Sequence, residues 1–165
     1  MVIAYKLLTY FLIFLFQFFL WTMLVYLMHR VAHIKRRYNP FHWIHMAHHR
    51  INYWKPENRV FRWYYFLFFF GSIQATIDVV LILTIPAVTV CLIYPATGVY
   101  ILVFHYIYEV FFSEGVLDHN PRIKGTVTRF FAWGDYHLWH HKNWKYNYGL
   151  MITLWDSIFG TKHKI

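Results

Sequence analysis

Between Trp63 and Leu117 the chain carries no lysine or arginine, and this tract limits the possible folds more than any other. As one helix it would reach about 80 Å at ~1.5 Å per residue, far beyond the ~30 Å hydrocarbon core of a bilayer. It must fold back. The turn is expected at Tyr94-Pro95-Ala96-Thr97-Gly98, where proline and glycine interrupt the helical pattern. That leaves spans at Ser72–Ile93 and Val99–Leu117, with Pro86 placed to kink the first. The aromatic stretch Trp63–Phe70 before Gly71 reads as an extension of that span or as an interfacial helix. Upstream, Leu7–Met28 contains no charged residue, and Gln17 is its one strongly polar side chain. A helix of that length covers about 33 Å. The run is too long for a signal-peptide core and lacks a small-residue cleavage site, so a retained anchor is expected. These readings predict an all-α integral membrane helical bundle of three or four spans, forming a single membrane-embedded domain over residues 1–165.

Composition agrees. Only 14% of residues are charged and 59% are hydrophobic, whereas soluble domains carry about 25% charged residues. The formal charge of +9 suits anionic headgroups or an acidic protein. Because the basic residues border apolar runs, a membrane surface is expected and nucleic acid is not. Eight of the 16 basic residues lie between Arg30 and Arg62 and seven between Arg122 and Lys164. The positive-inside rule puts both segments in the cytoplasm, and two intervening spans return the chain to the same side. The single cysteine, Cys91, excludes a disulfide within the chain.

The chain has 12 histidines against 7 carboxylates, and nine of the histidines form a restrictive pattern. His29 and His33 stand four apart, which places them on one helix face. His45, His48 and His49 form an HxxHH box, and His137, His140 and His141 form a second. His119 sits where the last predicted span ends. All nine fall on the expected cytoplasmic side, near the membrane boundary. Imidazole suits iron, copper, nickel and zinc. Three clusters with one further histidine exceed the needs of one ion, so two metals are expected, held by His29, His33, His45, His48, His49, His119, His137, His140 and His141. A lone histidine is more often a surface or hydrogen-bonded core residue. On that basis His42 is a neighbour of the second cluster, His105 a buried hydrogen-bonding residue and His163 a tail residue.

These boxes resemble the fatty acid hydroxylase/sterol desaturase superfamily. The resemblance covers His29–His49 and Asp118–Thr161, with Asp118-His119-Asn120, Asn147-Tyr148-Gly149 and Trp155-Asp156-Ser157-Ile158-Phe159-Gly160-Thr161 in family order. It implies a helical membrane stem with a cytoplasmic histidine-rich metal-binding cap. It implies two iron ions in a non-haem diiron centre, with O2 and reducing equivalents as co-substrates. It also implies a membrane lipid substrate (a fatty acyl chain or sterol), hydroxylated or desaturated, and an electron-donor protein of the cytochrome b5 or ferredoxin kind. The membrane would be the endoplasmic reticulum or the bacterial inner membrane. The chain departs from the family twice. Three spans are evident where members commonly have four. Where some members place a second histidine before the one matching His119, this chain has Glu114 and Gly115. That leaves Glu114, Asp118, His42 or water to complete the metal shell. Asp156 is expected either to orient a ligating imidazole or to cap a helix, and Asn147-Tyr148-Gly149 to make a turn with glycine in the unusual backbone region. Asp78 is expected near the interface or paired within the bundle. The rival readings are a non-catalytic membrane protein binding zinc or copper, and a haem carrier, which adjacent histidine pairs fit poorly.

Overall fold

A computed structural model describes residues 2–51, 62–69 and 72–163. Phe70 and Gly71, and the basic residues Lys55, Arg59 and Lys164, lie outside the described residues. Among the described residues the protein is helical, with no strand beyond one isolated antiparallel bridge between Phe131 and Ile152.

Helix α1, Val2–Ala32, is longer than the apolar run that announces it. Among the described residues two helices are long and apolar enough to cross a membrane, α1 and α3, which runs from Ile73 to Ile93. Between them lie α2, Pro40–His48, and a 3-10 turn at Trp63–Phe66. This turn is separate from α3, whose start is set by Ser72, the side chain of which accepts from Ala75 N at 3.1 Å. Proline opens α2, where an absent N–H costs nothing.

Helix α4, Val99–Phe112, returns antiparallel to α3 through the turn at 94–98, as the sequence predicts. Gly98 is required there. A Cβ on it would lie 2.5 Å from Cys91 Cα, so α3 and α4 could not meet so closely with any other residue. Each arm contains one π-helical segment, Val80–Thr84 and Tyr108–Phe112. The first stands just before Pro86, which has no N–H to give Ile82. The second ends α4 at Phe112, five residues short of the expected Leu117. Trp21, Val25 and Ala32 of α1 pack with Val79, Ile82 and Ala87 of α3 and with Ile101 and Tyr108 of α4. Edge-on contacts of Phe14, Phe18 and Trp21 with Phe104, at 5.8–6.3 Å, reinforce that seam.

The C-terminal third carries three short helices, α5 (Val127–Phe130), α6 (Asp135–Lys142) and α7 (Leu154–Ile158). It is fastened to α1. Trp155 Nε1 donates to Thr22 Oγ1 at 3.0 Å, Phe159 stacks on Tyr26 at 5.2 Å, and the Tyr26 and Thr161 hydroxyls are 2.8 Å apart. These contacts hold α6 over the end of α1, facing α2.

Candidate metal centre

The nine singled-out histidines converge, and they do so as two groups. His29, His33, His45, His49 and His140 form one; His48, His119, His137 and His141 form the other. Within each group the ligand nitrogens lie within 4.8 Å of one another. Each HxxHH box is therefore split. In α2 the i,i+4 pair His45/His49 serves the first group and His48 the second. In α6 the pair His137/His141 serves the second and His140 the first. The two helices exchange one imidazole each, which sets the groups side by side, with the His49 and His141 rings stacked at 4.3 Å.

Hydrogen bonding shows what the first group offers. His29 Nδ1 lies 2.7 Å from Tyr148 O, His140 Nδ1 2.6 Å from Tyr146 O, and His45 Nδ1 3.0 Å from the Asp78 carboxylate. Carbonyl and carboxylate oxygens accept, so each Nδ1 carries the proton and each Nε2 presents a lone pair. Yet His29 and His45 Nε2 stand 3.0 Å apart, and His33 Nε2 lies 3.1 Å from His45 Nε2 and 2.9 Å from His140 Nε2. The lone pairs of His29 and His45 cannot hydrogen-bond each other. Their convergence fits a cation between them.

The spacing suits a first-row metal ion. The shortest separations in the first group are 2.9–3.2 Å, and in the second His141 Nε2 is 3.1 Å from His119 and 3.2 Å from His137. Nitrogens that close can share one ion at about 2.1 Å from each, with five offered in one group and four in the other.

Burial keeps these rings neutral. It holds His45, His119 and His137 well below the ordinary imidazole range, lowers His48 to about 3, and lowers His140 to about 4 against the opposing pull of the Tyr146 carbonyl. His33, His49 and His141 are lowered by the same cause, and neighbouring imidazoles add to it. A neutral imidazole needs no proton removed before it takes a metal.

Other expectations resolve individually. Neither Glu114 nor Asp118 belongs to a group. Glu114 sits at φ 43° with its carbonyl accepting from His119 N at 2.6 Å, and Asp118 accepts from the Tyr108 hydroxyl. His42 is a neighbour, its Nδ1 donating to Ala32 O at 3.0 Å. His105 is buried and bonded to Thr84 Oγ1 at 2.8 Å. His163 is more than a tail residue, with its N–H on Asn147 Oδ1 at 2.8 Å and its ring stacked on Trp139. In Asn147-Tyr148-Gly149 the positive φ belongs to Asn147, at 59°, and not to the glycine. Gly149 answers a steric need, since a Cβ there would meet Asp156 Oδ2 at 2.8 Å.

Asp156 orients an imidazole at one remove. It accepts from Tyr148 N and Gly149 N, both at 2.7 Å, and so fixes the carbonyl that holds His29. Nothing in the residue pattern marks the Tyr146 and Tyr148 carbonyls as groups that orient rings. Asp78 does pair within the bundle, and its partner is a histidine of the first group. Asp78→Ala should weaken metal binding at that group by about 10–100-fold, read by metal titration, and Asp78→Asn should lose less because its amide oxygen still accepts.

Beside the second group lies a cavity of about 40 Å³. Its lining includes His48, His119 and His137, the apolar Val79, Ile82, Leu83 and Met151, and the carboxylates of Asp78, Glu109 and Asp118.

A helical chain with two segments long and apolar enough to cross a membrane, and two histidine groups that could each hold a metal ion, has the parts of a membrane-associated metalloprotein. The family model described as Fatty acid hydroxylase matches residues 14–161, and the chain belongs to that family. No curated protein and no solved structure matches it significantly.

Proposed function

We propose that this protein is a membrane non-haem diiron enzyme that hydroxylates, or desaturates, a C–H bond of a lipid such as a fatty acyl chain or sterol. It would use dioxygen and an external electron donor. The division of nine buried or half-buried histidines into two groups, each able to hold a metal ion, carries this reading. Imidazole suits iron, and two adjacent groups suit a pair of ions. Bound iron would supply the activation of dioxygen needed to oxidise an unactivated carbon. The chain's own work is positioning. The carbonyls of Tyr146 and Tyr148 and the carboxylate of Asp78 lock ring orientations. Val79, Ile82, Leu83 and Met151 give the cavity beside the second group an apolar part, against which a hydrocarbon group would rest.

An external electron-donor protein is part of this proposal, and the excess of 16 basic over 7 acidic residues would favour an acidic one. The basic residues around the histidines support a cytoplasmic orientation. The test is reconstitution under nitrogen with ferrous iron, followed by dioxygen, a reductant and membrane lipid. Mass spectrometry should find a lipid that has gained one oxygen atom or lost two hydrogens. Full metal loading with neither oxygen uptake nor altered lipid would defeat the proposal in favour of a metal-handling protein.

A further inference from the structure

The depth reached by α3 and α4 does not match the length of α1. Gln17 is the midpoint of α1, and its Nε2 donates to Thr97 Oγ1 at 2.6 Å, in the turn joining α3 to α4. Phe16 meets Tyr94 of the same turn edge-on at 6.0 Å. The tip of the hairpin thus reaches only halfway down α1. Its upper end is fixed as well. Asp78 binds His45, and Glu109 lines the cavity beside the second group. From Asp78 to Ile93 is a rise of about 22 Å, and from Val99 to Glu109 about 15 Å, both short of the ~30 Å hydrocarbon core. Below His29, α1 continues to Val2 for about 40 Å.

The lower half of α1 is apolar and bare among the described residues. Val2, Ile3, Leu7, Leu8, Phe11 and Leu12 are each at least 55% exposed. If the hairpin crossed the membrane, this half would stand in water beyond it, an apolar surface that soluble proteins rarely show. Lys6, with Tyr5 and Tyr10 beside it, is composed as an interfacial anchor.

We propose that the hairpin 73–112 is re-entrant: it enters the bilayer from the histidine side, turns near the midplane and leaves by the same side, while α1 alone crosses with its N-terminal half seated in the hydrocarbon of the far leaflet. The turn is suited to that depth. Irregular backbone within a bilayer must satisfy its own polar groups. Here Gly98 N and Thr97 N donate to Tyr94 O, Tyr94 N to Val90 O, Tyr100 N to Thr97 O and Ile101 N to Gly98 O, while Pro95 has no N–H. No Asp, Glu, Lys or Arg occurs between Asp78 and Glu109. Charge pattern and hydropathy alone place Tyr94–Gly98 on the far side, because neither reports where a turn stops along a neighbouring helix. One consequence bears on substrate. The cavity beside the second group is walled by the re-entrant arms, so it draws lipid from the leaflet on the histidine side.

Spin labels test this in the metal-loaded protein reconstituted in phosphatidylcholine vesicles. In a Cys91→Ala background, labels are placed singly by Ala96→Cys, Tyr5→Cys and Arg122→Cys, with helical content and metal loading as fold controls. The label at 96 should collide with oxygen far more than with a water-soluble nickel chelate, giving a depth near the midplane. The label at 5 should read at the far headgroup boundary. Nickel access at 96 equal to that at 122 would overturn the proposal. So would a label at 5 shielded from both reagents, the sign of a protein neighbour in place of lipid. The unaltered chain gives a second reading, since Cys91 lies one turn from the hairpin tip. Rapid reaction of Cys91 with a charged maleimide applied to both faces would also overturn it.

Discussion

His141→Ala should leave the protein with one tightly held ion in place of two. His141 Nε2 is the nitrogen that stands 3.1 Å from His119 and 3.2 Å from His137, and its removal cuts the second group from four donors to three. Loss of a residue that merely orients a ligand costs about 10–100-fold in affinity, so loss of a donor should exceed about 100-fold. His140→Ala makes the matching cut in the first group, but there four donors remain. Its loss should be smaller and confined to that group. Metal analysis of both variants after gel filtration in mild chelator, with circular dichroism to show retained helix, checks this. If either variant lost both ions together, the two groups would have to be read as one unit. The expected difference in loss follows from the division of each HxxHH box between groups, and a model in which a box serves one ion would predict equal losses.

Asp156→Ala should destabilise the fold by several kcal/mol, on the order of 1–3 kcal/mol for each buried donor left without an acceptor. Asp156 is fully buried and accepts four hydrogen bonds, from Tyr148 N, Gly149 N, the Tyr136 hydroxyl and the Thr161 hydroxyl. Burial pushes its carboxyl above the ordinary range, and those donors pull it back. With the carboxylate gone, two backbone N–H groups and two hydroxyls lose their acceptor at once. The variant should also bind metal poorly at the first group, because the Tyr148 carbonyl would no longer hold His29. Asp156→Asn keeps one accepting oxygen but turns an NH2 toward donors, so it should fall between Ala and the parent chain. Denaturant titration gives the stability, and iron loading of the folded fraction gives the second effect. A full-strength first group in a destabilised Asp156→Ala would show that Tyr148 is held by other means.

The convergence of these histidines was legible in the sequence because imidazoles at i and i+4 share a helix face. The turn at Pro95 and Gly98 was legible for a similar local reason. The allotment of histidines to ions was not, because it depends on how α2 and α6 face one another, and spacing within one helix carries no record of that. The orienting carbonyls of Tyr146 and Tyr148 leave no mark, since every residue has a carbonyl. Glu114 was weighed as a substitute ligand because some family members have a second histidine just before the one matching His119, but it is His48, His137 and His141 that group with His119. Asn147 shows how a plausible local rule misassigns a residue. Glycine is the usual occupant of positive φ, yet Asn147 takes that conformation because its side chain bonds Tyr136 O and receives His163 N.

The two histidine groups also act as knots in the chain. His33 and His140, 2.9 Å apart, are 107 residues apart in sequence. An ion gripping both closes nearly two thirds of the polymer into a ring, and the second ion closes another through His48 and His137. A covalent cross-link spanning about 100 residues restricts the unfolded chain by about 4.7 kcal/mol, and a metal clip works by the same loop entropy. Iron supply would then govern how long the folded molecule lasts as well as whether it turns over. A chain starved of metal would lose that constraint where α6 lies over the C-terminal end of α1.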